Sequence, residues 1–299
     1  MNQHEMVSLI KTKLPNVVIR QVKSNTTGWD NDILIINEDT VFRFPKTKRI
    51  KEKVENECYI QEALVKTTTA ITVPMYTPVR DASHQIECVY YPFIKGQAVN
   101  ETMIEECTTE ENAQRLGDFL SKLHSIRHAD LHHDATLTPI HSFSYWNELY
   151  QAVQEQLFPY FTNSQKDSTK EVFTSFLEDY GRMNNRTTLI HGDLTISNLI
   201  YDYRKQQIAG VIDFTDAQFG DPAFDFAGIY WSFGPHFTKR VLSNYQNDED
   251  EETLYKRVKE FYGLQPVFHE LLYSVSQNQS IAWNNALTKF TALRSKTYW

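Results

Sequence analysis

Two short apolar runs in the second half of the chain, each delivering an acidic residue into the turn that follows, constrain the fold more than any other feature. The first ends in Leu189 and Ile190 and continues as HGDLTISN from His191 to Asn198. The second, Ile208 to Ile212, runs into Asp213 and Phe214 and continues as TDAQFGDPAFDFA. Apolar runs of this length bounded by turn formers read as strands. Such a chain must carry Asp193, Asn198 and Asp213 on loops at strand ends. Aspartate and asparagine favour turns for local reasons, so either segment alone would say little. Their order and the acidic continuation weigh against a chance pair of turns.

The spacing also carries chemistry. A histidine two residues before an aspartate, an asparagine five residues after it, and a later D-F pair fit the template for moving a phosphoryl group. The glycine that usually completes D-F-G is absent. Such transfer needs little covalent work from the protein, which must align an acceptor hydroxyl with the terminal phosphate and offset charge on the phosphate oxygens. In that scheme Asp193 is the catalytic residue that accepts or orients the hydroxyl proton. Asn198 and Asp213 supply the hard oxygens that suit Mg²⁺, which keeps several waters and needs few protein ligands. His191 is read as a structural brace of the loop rather than as a base or metal ligand.

With HGDLTISN at His191 to Asn198 and IDFTDAQFGDPAFD at Ile212 to Asp225, the sequence resembles the aminoglycoside phosphotransferase family. The resemblance implies an α+β, bilobal, protein-kinase-like fold with a nucleotide, ATP or GTP, between the lobes. A small β-rich lobe would cover residues 1–95 and end in the hinge; a larger, mainly helical lobe would cover 96–299 with the catalytic loop and acceptor site.

The N-terminal third is expected to hold the nucleotide. NTTGWDND, from Asn25 to Asp32, leads into the strand-like runs ILIIN and TVFRFP, whose Val, Ile and Phe content suits a sheet. A loop between such strands can lay backbone N–H groups on phosphates, with Gly28 supplying the flexibility; an ordinary hairpin turn is an equal reading. At the position of the phosphate-gripping lysine stands Arg43, which binds phosphate through a planar fork and is no neutral replacement. Some macrolide kinases of the superfamily look similar here. In the following helix Glu57 is the expected partner of Arg43, with Glu55 second. IECVYYPFIKG reads as a strand entering a hinge, with Tyr91 as gatekeeper, Pro92 offering only its carbonyl, and Ile94 as the N–H donor to the base.

Composition fits this picture. At 299 residues and 41% apolar content the chain can fill two cores. Thirty basic against 38 acidic residues, net charge −8, weigh against a nucleic-acid partner and suit a cationic small molecule. Three cysteines without metal spacing, no apolar stretch of membrane length and no signal-peptide pattern point to a cytoplasmic monomer with no membrane partner.

Beyond the hinge, helical periodicity marks Glu111–His128 as a core helix, with further helices over 142–161, 165–181, 236–246 and 253–262. His124, His128, His132 and His133 are read as surface or core histidines rather than a metal cluster, and the acidic run NDEDEET as a solvated loop. For the acceptor, the resemblance implies carboxylates facing ammonium groups, so Asp216 and Asp221 are expected to line its site beside Asp193; Tyr230 and Trp231 would stack on its sugar rings or face a larger apolar ligand, with packing between helices an equal reading. Asp225 is expected to be structural. The leading acceptor is an aminoglycoside antibiotic. A macrolide comes second, a choline-like or sugar metabolite third, and a silent nucleotide-binding module last.

Overall fold

The computed structural model describes residues 1–26, 28, 30–67, 69–180 and 187–295. Helix α1 (Gln3–Lys13) precedes an antiparallel sheet of β1 (Val22–Asn25), β2 (Asn31–Ile36) and β3 (Thr40–Pro45). After helix α2 (Lys48–Val65) the sheet is completed by β4 (Thr77–Arg80) and β5 (Ile86–Pro92), in spatial order β1-β2-β3-β5-β4. Strand alternation divides the side chains between two faces. Leu34, Ile36, Phe42, Phe44 and Cys88 meet Met6 and Ile10 of α1, while Val41, Val89 and Tyr91 meet Ile50, Val54 and Cys58 of α2. The turn from β2 to β3 places both Asn37 and Glu38 at positive φ, matching the twist of a tight hairpin.

The sheet ends at Pro92, and the next strand, β6 (Gln97–Ala98), pairs instead with residues 200–201, in a separate three-stranded sheet. After α3 (Ile104–Cys107), α4 (Glu110–His124) is the central core helix: Leu116, Phe119, Leu120 and Leu123 are fully buried at helical spacing. Helices α5 (Phe143–Gln156) and α6 (Asn163–Tyr180) follow. The sixth helix matches the expected 165–181, whose last residue lies outside the described ones. Strand β7 (Thr188–Ile190) leads into the loop of His191, and β8 (Leu199–Asp202) with β9 (Gln207–Val211) forms the hairpin that ends before Asp213. Strand β10 (Gln218–Gly220) returns antiparallel to β7.

The large core spans the chain's second part but also takes in Ile60, Ala63, Leu64 and Ile71, and Thr72 bridges to Gly210. The end of α2 is thus anchored in the helical part, so the sheet cannot be regarded as an isolated layer. Helix α7 (Ala227–Ser243) differs from expectation. It begins nine residues before 236 and bends at Gly234, with φ 81°, ahead of Pro235; proline cannot supply the N–H of a continuous helix. Then come α8 (Glu251–Arg257), whose last residues run into a π-helical turn over Val258–Tyr262, α9 (Pro266–Ser276) and α10 (Thr288–Arg294). Cys58, Cys88 and Cys107 are free and buried, and burial pushes each thiol up to about 12, which leaves them unreactive. No helix among the described residues is long and apolar enough to cross a membrane.

Asp221 caps the turn before α7 by accepting from Ala223 N–H and is gripped by Arg257, with Nε and Nη2 at 2.8 and 2.9 Å from its two oxygens. Arg257 also holds Glu249 of the acidic run at 2.5 and 2.7 Å. That bidentate pairing ties the loop after α7 to the start of the helix. Replacing Arg257 by alanine leaves two carboxylates facing each other without a cation, so Arg257→Ala should lower stability by about 1–3 kcal/mol in chemical denaturation. Stability within a few tenths of wild type would contradict this role.

Candidate active site

Arg43 sits in the middle of β3, 4% exposed. Its Nη1 donates to Glu57 Oε2 at 3.1 Å and to the Tyr76 hydroxyl; its Nη2 reaches Asp213 Oδ1 at 3.1 Å and Thr215 Oγ1 at 3.2 Å. Burial works against the guanidinium charge, yet Glu57 and Asp213 more than offset it and hold Arg43 well above the usual arginine range. Glu57 is fully buried and also accepts from Phe214 N–H (3.2 Å), Thr215 Oγ1 (2.9 Å) and the Tyr76 hydroxyl (3.0 Å). Glu55, the other candidate, is turned to Arg80 instead, at 2.6 and 2.9 Å.

Asp213 has φ 67°, a left-handed conformation uncommon outside glycine. Hydrogen bonds from Arg43 and from Thr215 Oγ1 (2.5 Å) hold it there. Burial pushes its carboxyl up, but Arg43 and Thr215 pull harder and leave it below the ordinary aspartate value. Oδ2 of Asp213 makes no hydrogen bond among the described residues. Asn198 turns its Nδ2 to Asp193, at 2.8 Å from the backbone oxygen and 2.9 Å from Oδ2, which leaves its Oδ1 without such a bond as well. Two hard oxygens without hydrogen-bond partners, one a carboxylate, suit an octahedral divalent cation such as Mg²⁺.

The loop that carries Asp193 is held from beneath by Asp225. This wholly buried carboxylate accepts from His191 N–H at 2.7 Å, Gly192 N–H at 2.9 Å and His124 Nε2 at 3.0 Å. His124, at the end of α4, receives the Tyr245 hydroxyl on its other nitrogen at 2.7 Å. His191 is itself buried; Nε2 donates to Ile212 O at 3.0 Å and Nδ1 accepts Asp193 N–H at 3.3 Å. Burial lowers its pKa, so the ring stays neutral between the two loops. Gly192 lies at φ +79°, and a Cβ there would strike Asp216 O, so no side chain fits.

Asp193 lines a cavity of about 700 Å³ together with Asp216, Glu101, Glu270, Lys289, the aromatic residues Tyr145, Phe224 and Trp231, and His141 and His269. Burial, and then the charge of Asp216, push the Asp193 carboxyl up to about 7, against the pull of Asn198. Asp216 is paired with Lys53 of α2 at 2.7 Å. Of the expected acceptor residues, Asp216 and Trp231 face this space, and two do not. Asp221 is taken by Arg257, and Tyr230 is 1% exposed with its hydroxyl on Leu293 O at 3.2 Å. Both are corrected from acceptor contacts to framework residues, because a buried polar group needs its partner inside the protein.

On the nucleotide side, Lys46 reaches back to the carbonyls of Thr26 (3.2 Å) and Gly28, closing the loop on itself. In the hinge, Tyr91 is buried beside Tyr76, Pro92 pairs across from Thr40, and Phe93 N–H is taken by Asp39 O at 2.7 Å. Ile94 N–H makes no bond among the described residues. Of the histidines outside the catalytic loop, His124 is a buried brace, and His128 stacks on Phe219 at 3.5 Å. His132, His133 and Asp134 cluster but are exposed and sequential.

Sequence reasoning passed over Tyr76, Thr215, Lys53, Glu101, His141, Gln265, His269, Glu270 and Lys289. Only Thr215 lay within a quoted motif.

His141 offers a pH test. Burial lowers its pKa to about 4, below the 6.5 of a free imidazole. The unfolded chain therefore binds this proton below pH 6.5 and the folded chain only near 4, so stability falls as pH drops through that window. The loss from this one group should be about 2–4 kcal/mol, and His141→Gln should flatten that part of the stability curve. An unchanged slope would contradict the burial argument.

The chain is 22% identical over 265 residues to the uncharacterized protein YcbJ of Bacillus subtilis (strain 168), covering 81% of this chain and 80% of that protein. In structure it is similar to the GDP complex of wild-type aminoglycoside 2′-phosphotransferase-IIIa, with TM-score 0.81 and 22% identity over the whole of both chains. It is similar also to macrolide 2′-phosphotransferase type I, with TM-score 0.66, 18% identity, and coverage of 99% and 98%. At such identities these structures show a shared kinase-like fold. Residues 21–261, which take in the Arg43 network, the catalytic loop and Asp225, match the phosphotransferase enzyme family, and the chain belongs to it.

Proposed function

We propose that this phosphotransferase is a Mg²⁺-dependent kinase that moves the terminal phosphate of ATP or GTP onto a hydroxyl of a sugar-bearing cationic small molecule, an aminoglycoside foremost, in the cytoplasm. The observation that carries the reading is the cavity onto which Asp193 opens: four carboxyl groups line it, at Glu101, Asp193, Asp216 and Glu270, against the lining ammonium of Lys289 and that of Lys53, which is paired with Asp216. A polycation gains from such a surface. Structural neighbours support both substrates: the same fold is known with GDP, and with GDP and kanamycin together at TM-score 0.81.

In this reading the bond from the terminal phosphorus to its bridging oxygen breaks as the acceptor oxygen bonds to phosphorus, and the hydroxyl proton passes to Asp193. A carboxyl tuned close to neutrality suits that exchange. Asn198 holds Asp193 in place through two hydrogen bonds. Arg43 has both Nη groups turned to Glu57, Tyr76, Asp213 and Thr215, so a phosphate would reach them only by displacing one of these partners, and the loop of Gly28 would lie against the phosphates. Tyr91, Pro92 and Ile94 receive the base. Asp213 and Asn198 would hold Mg²⁺, which would neutralise phosphate charge when bound. A macrolide is the second reading, favoured by the aromatic and neutral wall of Tyr145, Phe224, Trp231, His141 and His269.

Two substitutions separate the roles. Asp193→Asn should keep nucleotide binding in calorimetry while turnover falls about 10²–10⁴-fold. Asp213→Ala should instead weaken nucleotide binding in the presence of Mg²⁺ and abolish the difference made by adding the metal. Turnover near wild type in the first, or an unaltered magnesium effect in the second, would overturn these assignments.

The acceptor is decided by phosphate transfer to kanamycin, gentamicin and erythromycin. Aminoglycoside affinity should fall as ionic strength rises, since solvent-open charge pairs are screened. Transfer to erythromycin alone would overturn the leading choice and leave the kinase reading in place.

A further inference from the structure

The acceptor cavity contains a second charged cluster besides the Asp193 loop. Trp231 Nε1 donates to Glu270 Oε1 at 3.1 Å, which fixes the indole plane against the start of α9. Over that ring lies the ammonium of Lys289, 4.5 Å from the ring centroid, carried by the first turn of α10. Trp231, Glu270, Glu101 and Lys289 all line the cavity. An ammonium over an indole face, with carboxylates beside it, is a favourable way to hold an organic cation. The cation seated there belongs to the protein itself, and it closes no ion pair among the described residues.

Two further observations point to a ligand. Gln265, 4% exposed and lining the same cavity, has an Oε1 with no hydrogen-bond partner. A buried amide oxygen without a donor is uncommon and fits a hydroxyl or ammonium brought by a bound molecule. Lys289, by contrast, is exposed as a residue and has a long flexible stem, so its ammonium can withdraw into water at little cost. Burial lowers its pKa, with Glu270 and Glu101 pulling the other way, so the present position disfavours the ammonium, whose lost hydration these carboxylates offset only in part.

We infer that Glu270, Glu101 and the Trp231 face form an ammonium subsite of the acceptor cavity. Lys289 occupies it in the ligand-free chain, and a cationic acceptor binds by displacing the Lys289 ammonium. Gln265 Oε1 then accepts a hydrogen bond from the same acceptor. The inference deepens the proposed acceptor reading and rests on it for the identity of the natural ligand. The subsite itself requires only an organic ammonium.

Calorimetric titration of the full chain with spermidine, a polyammonium that has no hydroxyl to phosphorylate, tests the subsite apart from catalysis. Lys289→Gln and Lys289→Met should each bind spermidine roughly 3- to 10-fold more tightly than wild type, in line with freeing one cation–aromatic site. Lys289→Arg, which keeps the charge, should give no tightening. Glu270→Gln combined with Lys289→Gln should lose the gain. Lys205→Gln removes equal charge from the turn between β8 and β9, outside the cavity, and should change binding less than about 1.5-fold.

Unchanged or weaker spermidine binding in both neutral Lys289 variants overturns the inference, as does equal tightening by Lys205→Gln. Kanamycin separates this from the acceptor reading. If spermidine tightens as stated while kanamycin accepts no phosphate, the subsite stands and the aminoglycoside assignment falls. If kanamycin is phosphorylated and neither ligand binds the neutral variants more tightly, the assignment stands and the subsite falls.

Discussion

One buried guanidinium sets the geometry on which the rest depends. Arg43 belongs to the sheet, Glu57 to α2, Tyr76 to the segment between them and β4, and Asp213 with Thr215 to the loop after β9. A charge so enclosed is tolerable only while its partners stay in place, because taking away one leaves an unpaired ion in a dry setting. The network therefore locks four segments into one arrangement. It also explains why arginine can stand where lysine is usual. The planar fork has two ends, one satisfied by Glu57 and Tyr76, the other by Asp213 and Thr215, whereas an ammonium is a single point that could not span both.

A second carboxylate repeats the device from the other side. Asp225 gathers two backbone N–H groups of the catalytic loop and the His124 ring, and so transmits the position of α4 to Asp193. His191 links this hub to the first, since its ring bonds the carbonyl of Ile212, next to Asp213. Asp193 and Asp213 are thereby held by opposite parts of the core through buried hydrogen bonds, which stiffen both loops and leave Asp213 Oδ2 and Asn198 Oδ1 open. The left-handed backbone at Asp213 is held inside that frame.

What could be read from the sequence was local. The two strand-to-turn segments and the core helix from Glu111 announced themselves by periodicity and spacing, and β7 and β9 lie where those signals put them, while α4 stops at His124, short of the expected His128, and β8 gave no such signal. Pairings between distant segments could not be read the same way. Glu55 and Glu57 are equally acidic and two residues apart, and only the fold makes one a buried partner and the other an Arg80 contact. Asp221 looked like part of an acidic wall because its neighbours are acidic. Its cation, Arg257, arrives from 36 residues further along. Tyr230 and Trp231 are adjacent, yet one faces the core and the other the cavity, since consecutive helical positions point about a quarter-turn apart. The wall residues Gln265, His269, Glu270 and Lys289 belong to no motif, because nothing in their chemistry requires a fixed spacing from the catalytic loop.

That division has a physical consequence. Arg43, Glu57, Asp213, His191 and Asp193 share partners with one another, so a change at one propagates to the rest. The cavity wall is built differently. His141, Tyr145, Trp231, Gln265, Glu270 and Lys289 come from the segment before α5, from α5 itself, from α7, from α9 and the residue before it, and from α10, and among the described residues none of them hydrogen-bonds to Arg43, Asp213 or Asp225. Each helix buries one face in the core and offers another to the cavity. Side chains on the offered face can alter in charge and size while the buried face keeps the helix in place. A fold arranged this way can hold its reaction constant and vary its acceptor, and in the proposed reading specificity falls to the late helices and chemistry to the two loops. In this chain the late helices supply a mixed wall, with aromatic faces and neutral imidazoles beside a carboxylate cluster whose cation is tethered to α10. Under the proposed subsite, selection among acceptors turns on whether an incoming ammonium outcompetes Lys289 for Glu270 and the Trp231 ring, a contest decided without any change at Asp193.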